Sequence, residues 1–267
     1  MESKQIVERV IEASYIIPVE PADTLLTDSA VVIDDGIILG IFPADEARRR
    51  FQTAQWDVMS GHVLIPGLIN LHTHSAMTLM RGMADDMALM SWLTEKIWPT
   101  EHKVLSWEFV YDGTLLACKE MLRGGVTCFN DMYFYPEAIA RAAIDSGMRA
   151  VIGITVVDMP TVTTADAADC LRQGDQLMNA LQHERIHFAV APHAPYTVGD
   201  DAFRSVRDFK TQYGLKVHLH LNETEHEVRQ SMEQYGVRPV ARLDRLGLVD
   251  NDLLAVHAVT VNDDDIK

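Results

Sequence analysis

Apolar and polar positions follow two different rhythms along the chain. Up to residue 62 the apolar runs are short and rich in β-branched residues. Val7–Ile17 is one such run. Ser29–Ile41 carries Val31-Val32-Ile33 and Ile37-Ile38-Leu39 on either side of Asp34-Asp35-Gly36, the pattern of a hairpin closed by a tight turn. Residues 1–62 therefore read as a small β domain, the N-terminal part of a β-sandwich. From residue 63 onward, strand-like and helix-like stretches alternate. Strands are expected over Val63–Leu71, Thr127–Met132, Ala150–Val157, Ile186–Ala191, Lys216–Leu221 and Leu253–Val259. Helices are expected over Ser106–Arg123, Pro136–Ser146, Thr164–Gln182, Asp200–Tyr213 and Thr224–Tyr235, with Gly124-Gly125, Gly147, Gly214 and Gly236 where they should stop. Repeated strand–helix units imply a parallel sheet, and the lack of a GxGxxG turn after the first strand favours a barrel over a doubly wound sheet. A closed eight-strand barrel takes about 250 residues. Residues 63–267 supply about six of the eight strands, so this stretch reads as an α/β, (β/α)8 barrel truncated before its last strands, a fragment or one part of a split protein.

Composition narrows the function. The chain has 267 residues, 48% hydrophobic and 23% charged, as expected of a globular protein with a sizeable core. A formal net charge of −16 repels phosphate backbones and argues against nucleic-acid binding. No apolar run reaches the roughly 18 residues of a membrane helix, and Met1-Glu2-Ser3-Lys4-Gln5 leads into a charged, strand-like segment rather than an apolar signal core, so a cytoplasmic location is expected. Cys118, Cys128 and Cys170 lack CxxC spacing and give no thiolate metal site.

Histidine is the more informative residue. Pro66-Gly67-Leu68-Ile69-Asn70-Leu71-His72-Thr73-His74 reads as an apolar strand ending in two histidines at i and i+2, which share one face. His218-Leu219-His220-Leu221-Asn222-Glu223 repeats the pattern. His220 is the better ligand of its pair, His218 lies deeper, behind the ligands or packed in the core, and Glu223 follows in the loop over the mouth. His193, in Ala191-Pro192-His193-Ala194-Pro195-Tyr196, and His257, in Leu253-Leu254-Ala255-Val256-His257, also close strands. Four strands delivering imidazoles to one rim can hold a divalent ion, and such an ion activates water for attack on an electrophilic carbon. Glu223 suits the carrying of the proton, and His257 the orientation of the water or the stabilisation of the oxyanion. His183-Glu184-Arg185-Ile186-His187 matches the HExxH pattern, but that chemistry needs a continuous helix and a strand begins inside the motif. Glu225 and Glu227 read as a solvated helix face.

These motifs resemble those of the amidohydrolase superfamily, and within it the branch of the 5-methylthioadenosine/S-adenosylhomocysteine deaminases and the triazine hydrolases. His72-Thr73-His74-Ser75-Ala76-Met77-Thr78-Leu79-Met80-Arg81-Gly82 is similar to the family's first metal motif, and Trp92-Leu93 with Trp98-Pro99-Thr100-Glu101 to its substrate-binding helix. Asn130-Asp131-Met132-Tyr133, Pro192-His193-Ala194-Pro195-Tyr196 and His220-Leu221-Asn222-Glu223-Thr224 resemble its second, fourth and fifth strand ends. The resemblance implies a metal-dependent hydrolase barrel with one divalent ion, zinc before iron or nickel, on His72, His74 and His220. It implies that Glu223 is the proton shuttle, that His257 lies beside the metal-bound water, and that Trp92, Glu101, His193 and Glu223 contact the substrate. The implied reaction is deamination of 5-methylthioadenosine, S-adenosylhomocysteine or adenosine to the inosine analogue and ammonia. A triazine or guanine remains an alternative ring substrate. The family's further aspartate ligand should lie beyond residue 267, so an incomplete fragment needing a complementary C-terminal segment is a rival reading, alongside a homo-oligomer.

Overall fold

The chain divides into two units, residues up to Gly67 and Leu68–Lys267. The computed structural model describes residues 3–267, so Met1 and Glu2, at the head of the segment read as leading into a strand, lie outside the described residues. In the first unit, β1 (Gln5–Ile6) pairs with β5 (Phe51–Gln52). β2 (Arg9–Ile16), β3 (Leu26–Asp34), β4 (Ile37–Pro43) and β6 (Gln55–Leu64) form a sheet in the order β4-β3-β2-β6. The hairpin expected around Asp34-Asp35-Gly36 is present, with β3 and β4 antiparallel and Asp35 and Gly36 both at positive φ in the turn. The helix Ala44–Arg50 was not expected from the apolar pattern. It has Asp45 and Glu46 in its first turn and Arg48, Arg49 and Arg50 in its last, the arrangement a helix dipole favours.

The second unit is built from six parallel strands whose spatial order is their chain order: β7 (Leu68–Thr73), β8 (Val126–Met132), β9 (Arg149–Val156), β10 (Ile186–Pro192), β11 (Lys216–Leu221) and β12 (Leu253–His257). Helices cross between them, so the fold is a partial (β/α)8 barrel with six strands. One boundary needs correction. The run read as a single strand, Val63–Leu71, is split: β6 ends at Leu64 and β7 begins at Leu68, because Pro66 has no N–H to continue a ladder. The five expected helices form at Trp107–Arg123, Pro136–Ser146, Ala167–Ala180, Asp200–Tyr213 and Glu225–Tyr235. The side chains of Ser106, Asp166 and Thr224 cap three of them, and Gly147, Gly214 and Gly236 end three of them. A further helix, Pro239–Arg245, escaped the pattern because it is two turns long, although the proline at its start suits that place.

The apolar residues of these elements form two buried clusters, one around Phe129, Ile139 and Ile152 and the other around Phe203, Leu219 and Leu243. Each such side chain contributes roughly 1.5–3 kcal/mol on burial. With neighbouring strands parallel, all six C-terminal ends share one rim. Among the described residues no helix is long and apolar enough to cross a membrane.

Candidate metal centre and active-site cavity

Six imidazoles gather at that rim. His72 closes β7 and His74 follows it. His218 and His220 lie on β11, His193 follows β10, and His257 closes β12. The ring centre of His220 is 4.8 Å from that of His72, 5.2 Å from His74, 5.1 Å from His193 and 5.2 Å from His257. One ligand atom from each of His72, His74 and His220 falls within 4.8 Å of the others. The Nε2 atoms of His72 and His220 are 3.3 Å apart. Two nitrogens bound at about 2.0–2.1 Å to one tetrahedral ion would stand about 3.3–3.4 Å apart.

Hydrogen bonds fix which nitrogen is free. His74 Nδ1–H donates to the carbonyl of Met132 at 2.6 Å, and His220 Nδ1–H donates to the carbonyl of His193 at 2.8 Å. Each therefore presents an Nε2 lone pair, the form a metal needs. His72 Nδ1 meets Nε2 of His218 at 2.9 Å, so His218, buried in the barrel, lies behind His72. Burial first, and neighbouring imidazoles second, hold His72 down to about 3 and His193 and His218 to about 4. His74, His220 and His257 are lowered as well, by burial foremost. All six are thus neutral at pH 7. The donor set fits a divalent ion: three neutral nitrogens, from β7, the residue just after it and β11, with the backbone setting the tautomer of two of them.

The segment carrying His72 and His74 is held from two sides. The buried carboxylate of Asp131, on β8, accepts from Thr73 Oγ1 at 2.7 Å and from the Ser75 backbone N–H at 2.6 Å. Helix Trp107–Arg123 approaches at Gly113, where a Cβ would come within 2.4 Å of the Ala76 carbonyl oxygen, so only glycine allows this contact.

Glu223 follows β11 and is partly buried, which raises its carboxyl above the ordinary range. Its Oε1 lies 3.5 Å from His257 Nε2. His257 and Ala258 both have positive φ, at 72° and 50°, and the His257 ring stacks on that of His220 at 17°. Strained non-glycine backbone of this kind is common where function positions a side chain. Glu227 corrects the sequence reading. It is not on a solvated face but is 2% exposed, while Glu225 is exposed as expected.

Beside the imidazoles lies a cavity of about 340 Å3 lined by His74, His193, Trp92, Glu101, Tyr133 and apolar side chains. Trp92 opens a π-helical stretch, Trp92–Ile97, a form found often at functional sites. Glu101, on the next helix, Trp98–Val104, is buried, and its Oε1 accepts the Tyr133 hydroxyl at 2.5 Å. Burial raises the Glu101 carboxyl, with the Tyr133 bond acting against it. His193 Nδ1 is tied to Thr197 Oγ1 at 2.9 Å. Glu223 and His257 adjoin the imidazoles rather than the wall formed by Trp92 and Glu101. His183 lies in a loop before β10, so no continuous helix carries the HExxH pattern.

A sequence profile of the Amidohydrolase family matches residues 63–267. The chain belongs to the amidohydrolase family. The motifs around His72–Gly82 and Pro192–Tyr196 pointed to the family that is matched. The 5-methylthioadenosine/S-adenosylhomocysteine deaminase of Thermodesulfovibrio yellowstonii is 40% identical over 260 residues, covering 96% of this amidohydrolase chain and 59% of that protein. The crystal structure of an adenosine deaminase from Xanthomonas campestris with bound zinc aligns with a TM-score of 0.96 and 43% identity, over 99% of this chain and 60% of that one. The atrazine chlorohydrolase of Arthrobacter aurescens, solved with zinc, shares the fold at a TM-score of 0.86 and 19% identity, over 98% of this chain and 62% of that one. The amidohydrolase chain thus spans about 60% of the length of the relatives it matches.

Sequence reasoning about this amidohydrolase missed three groups at the site. Tyr133, quoted within the Asn130–Tyr133 strand end but given no role, bonds Glu101 on a distant helix, and Thr197, which has no motif of its own, bonds His193 four residues away in a loop. The Asp131 clasp joins residues 58 apart in the chain, which no local pattern reveals.

Proposed function

We propose that this amidohydrolase deaminates adenosine-type nucleosides hydrolytically, using one zinc ion on His72, His74 and His220. The observation that carries the reading is the convergence of those three neutral imidazoles beside Glu223 and a largely apolar cavity containing a buried carboxylate. The adenosine deaminase with bound zinc and the 5-methylthioadenosine/S-adenosylhomocysteine deaminase add support. The overall change is the replacement of a ring C–NH2 by C=O, with water consumed and ammonia released.

A divalent ion at the three histidines would supply the Lewis acidity that makes water nucleophilic at neutral pH. Glu223, with its carboxyl raised by burial, takes the proton from the attacking water and delivers it to the ring nitrogen. His257, next to Glu223 Oε1, stabilises the charge that develops on the oxygen. His193, neutral and tied back by Thr197, contacts the purine. The Tyr133 hydroxyl occupies one oxygen of Glu101 and leaves the other to accept from ribose hydroxyls. Trp92 flanks the nucleoside. Leu93, Ile97, Trp98, Met159, Pro160 and Val162 form much of the remaining wall, which favours an uncharged 5′ group such as methylthio over a zwitterionic homocysteine.

The test is incubation of the zinc-loaded protein with 5-methylthioadenosine, adenosine and S-adenosylhomocysteine. The expected result is ammonia release with the absorbance change from adenine to hypoxanthine, fastest for the uncharged nucleosides. No ammonia from any of the three would refute the reading.

A further inference from the structure

The loop that carries Glu223 is held by a second carboxylate. In a capping box, the acidic residue at the third helical position returns to the N–H of the N-cap residue. Here the N-cap is Thr224, whose Oγ1 accepts the Glu227 N–H at 3.2 Å. The Glu227 side chain reaches past Thr224 to the two residues before it. Oε1 accepts the Asn222 N–H at 2.8 Å, and Oε2 accepts the Glu223 N–H at 2.8 Å. Glu227 is 2% exposed and forms no ion pair among the described residues, so those backbone donors are what hold its charge.

The same peptide is fixed from the other side. Asn222 has a φ of 53°, and its carbonyl accepts both the N–H and the hydroxyl of Thr260 at 2.9 Å. In contrast, the Glu223 carboxylate accepts no hydrogen bond among the described residues, and its Oε1 lies 3.5 Å from His257 Nε2. A carboxyl that must move a proton between two atoms is best left unbonded, and its placement then depends on its backbone.

We propose that Glu227 is the positioning residue for Glu223, fixing through its two hydrogen bonds the peptide from which the proton-carrying carboxyl projects. This inference rests on the role given to Glu223 above. It goes beyond ordinary capping, because the Thr224 side chain takes the Glu227 N–H while the Glu227 carboxylate bonds Asn222 and Glu223, which lie outside the helix.

The experiment compares Glu223→Gln, Glu227→Gln and Glu227→Asp in the zinc-loaded protein. It measures kcat and KM with 5-methylthioadenosine, metal content, and amide exchange of the peptide spanning Leu221–Thr224. E223Q should lower kcat by on the order of 10²–10⁴ and leave the exchange unchanged. E227Q keeps the shape of the side chain but turns an NH2 toward one of the two N–H donors. It should lower kcat by on the order of 10², change KM by less than about threefold, speed exchange at Asn222 and Glu223, and retain the metal. E227D, one methylene shorter with its charge kept, should fall between E227Q and the parent, and it carries the same test should E227Q not fold. Parental kcat or unaltered exchange in the Glu227 variants, with E223Q inactive, would overturn the positioning role and leave the Glu223 reading standing. Full turnover in E223Q would overturn both.

Discussion

The two ends of the six-stranded sheet treat polar groups in opposite ways. At the N-terminal ends of β11 and β12 the charges are paired, with the buried Lys210 facing partly exposed aspartates. Lys210 binds Asp250, Lys210 lies 3.4 Å from Asp252, and Lys216 lies 3.2 Å from Asp252. At the C-terminal rim the polar groups are imidazoles kept neutral by burial. Among the described residues four buried side-chain atoms have no protein partner, Asn130 Oδ1, Asp131 Oδ1, His218 Nδ1 and Asn222 Oδ1, and all lie on β8, on β11 or in the loop after it. Native interiors leave few such atoms unsatisfied. Two belong to β8, whose Asp131 clasps the segment of His72 and His74, and two to β11 and the loop of Glu223. In barrels of this type the C-terminal face is the end that carries the chemistry and the opposite face the one that carries stability.

Substitutions at the two ends should therefore separate. His220→Ala should abolish both bound metal, read by elemental analysis, and turnover. Stoichiometric metal in H220A would break the comparison at its strongest point. Next in size, Glu101→Gln should raise KM for 5-methylthioadenosine about tenfold, the loss of one charged hydrogen bond, with kcat nearly unchanged. A fall in kcat at constant KM would instead place Glu101 in the chemistry.

The pH dependence sharpens the same contrast. His193 and His218 ionise at about 4 in the folded protein against an ordinary value of 6.5. Between those values the unfolded chain binds protons that the folded chain does not, so stability falls as the pH is lowered through that window. Thermal unfolding of the metal-free protein should show a midpoint that drops from pH 6.5 to pH 4, and a flat profile would contradict the buried neutral imidazoles. The smallest effect is expected at the other end. Lys210→Met, whose parent side chain is 9% exposed against partly exposed aspartates, should cost about 1 kcal/mol, seen by denaturant unfolding, and leave turnover unchanged.

Much of this was legible in the sequence because it depends on short periods. The i and i+2 spacing of His72 with His74, and of His218 with His220, fixes a shared strand face whatever the tertiary context. The strand–helix alternation placed five helices within a few residues of their observed ends, since caps and glycine stops are local. What escaped is non-local or ambiguous in period. The strand Gln55–Leu64 has no run of apolar residues, and it pairs with β2 some 46 positions earlier in the chain (Arg9 with Gln55). Glu227 looked like one more acid on a helix rich in acids. The Thr224-x-x-Glu227 spacing was the available signal, and its meaning depended on where the preceding loop turned back.

The central claim is that His72, His74 and His220 close on one divalent ion through Nε2. X-ray absorption at the zinc edge of the loaded protein tests it most directly. The account predicts at least three imidazole nitrogens at about 2.0–2.1 Å, one fewer in each of H72A, H74A and H220A wherever metal is retained. A shell dominated by sulfur or water, unchanged in those variants, would contradict it.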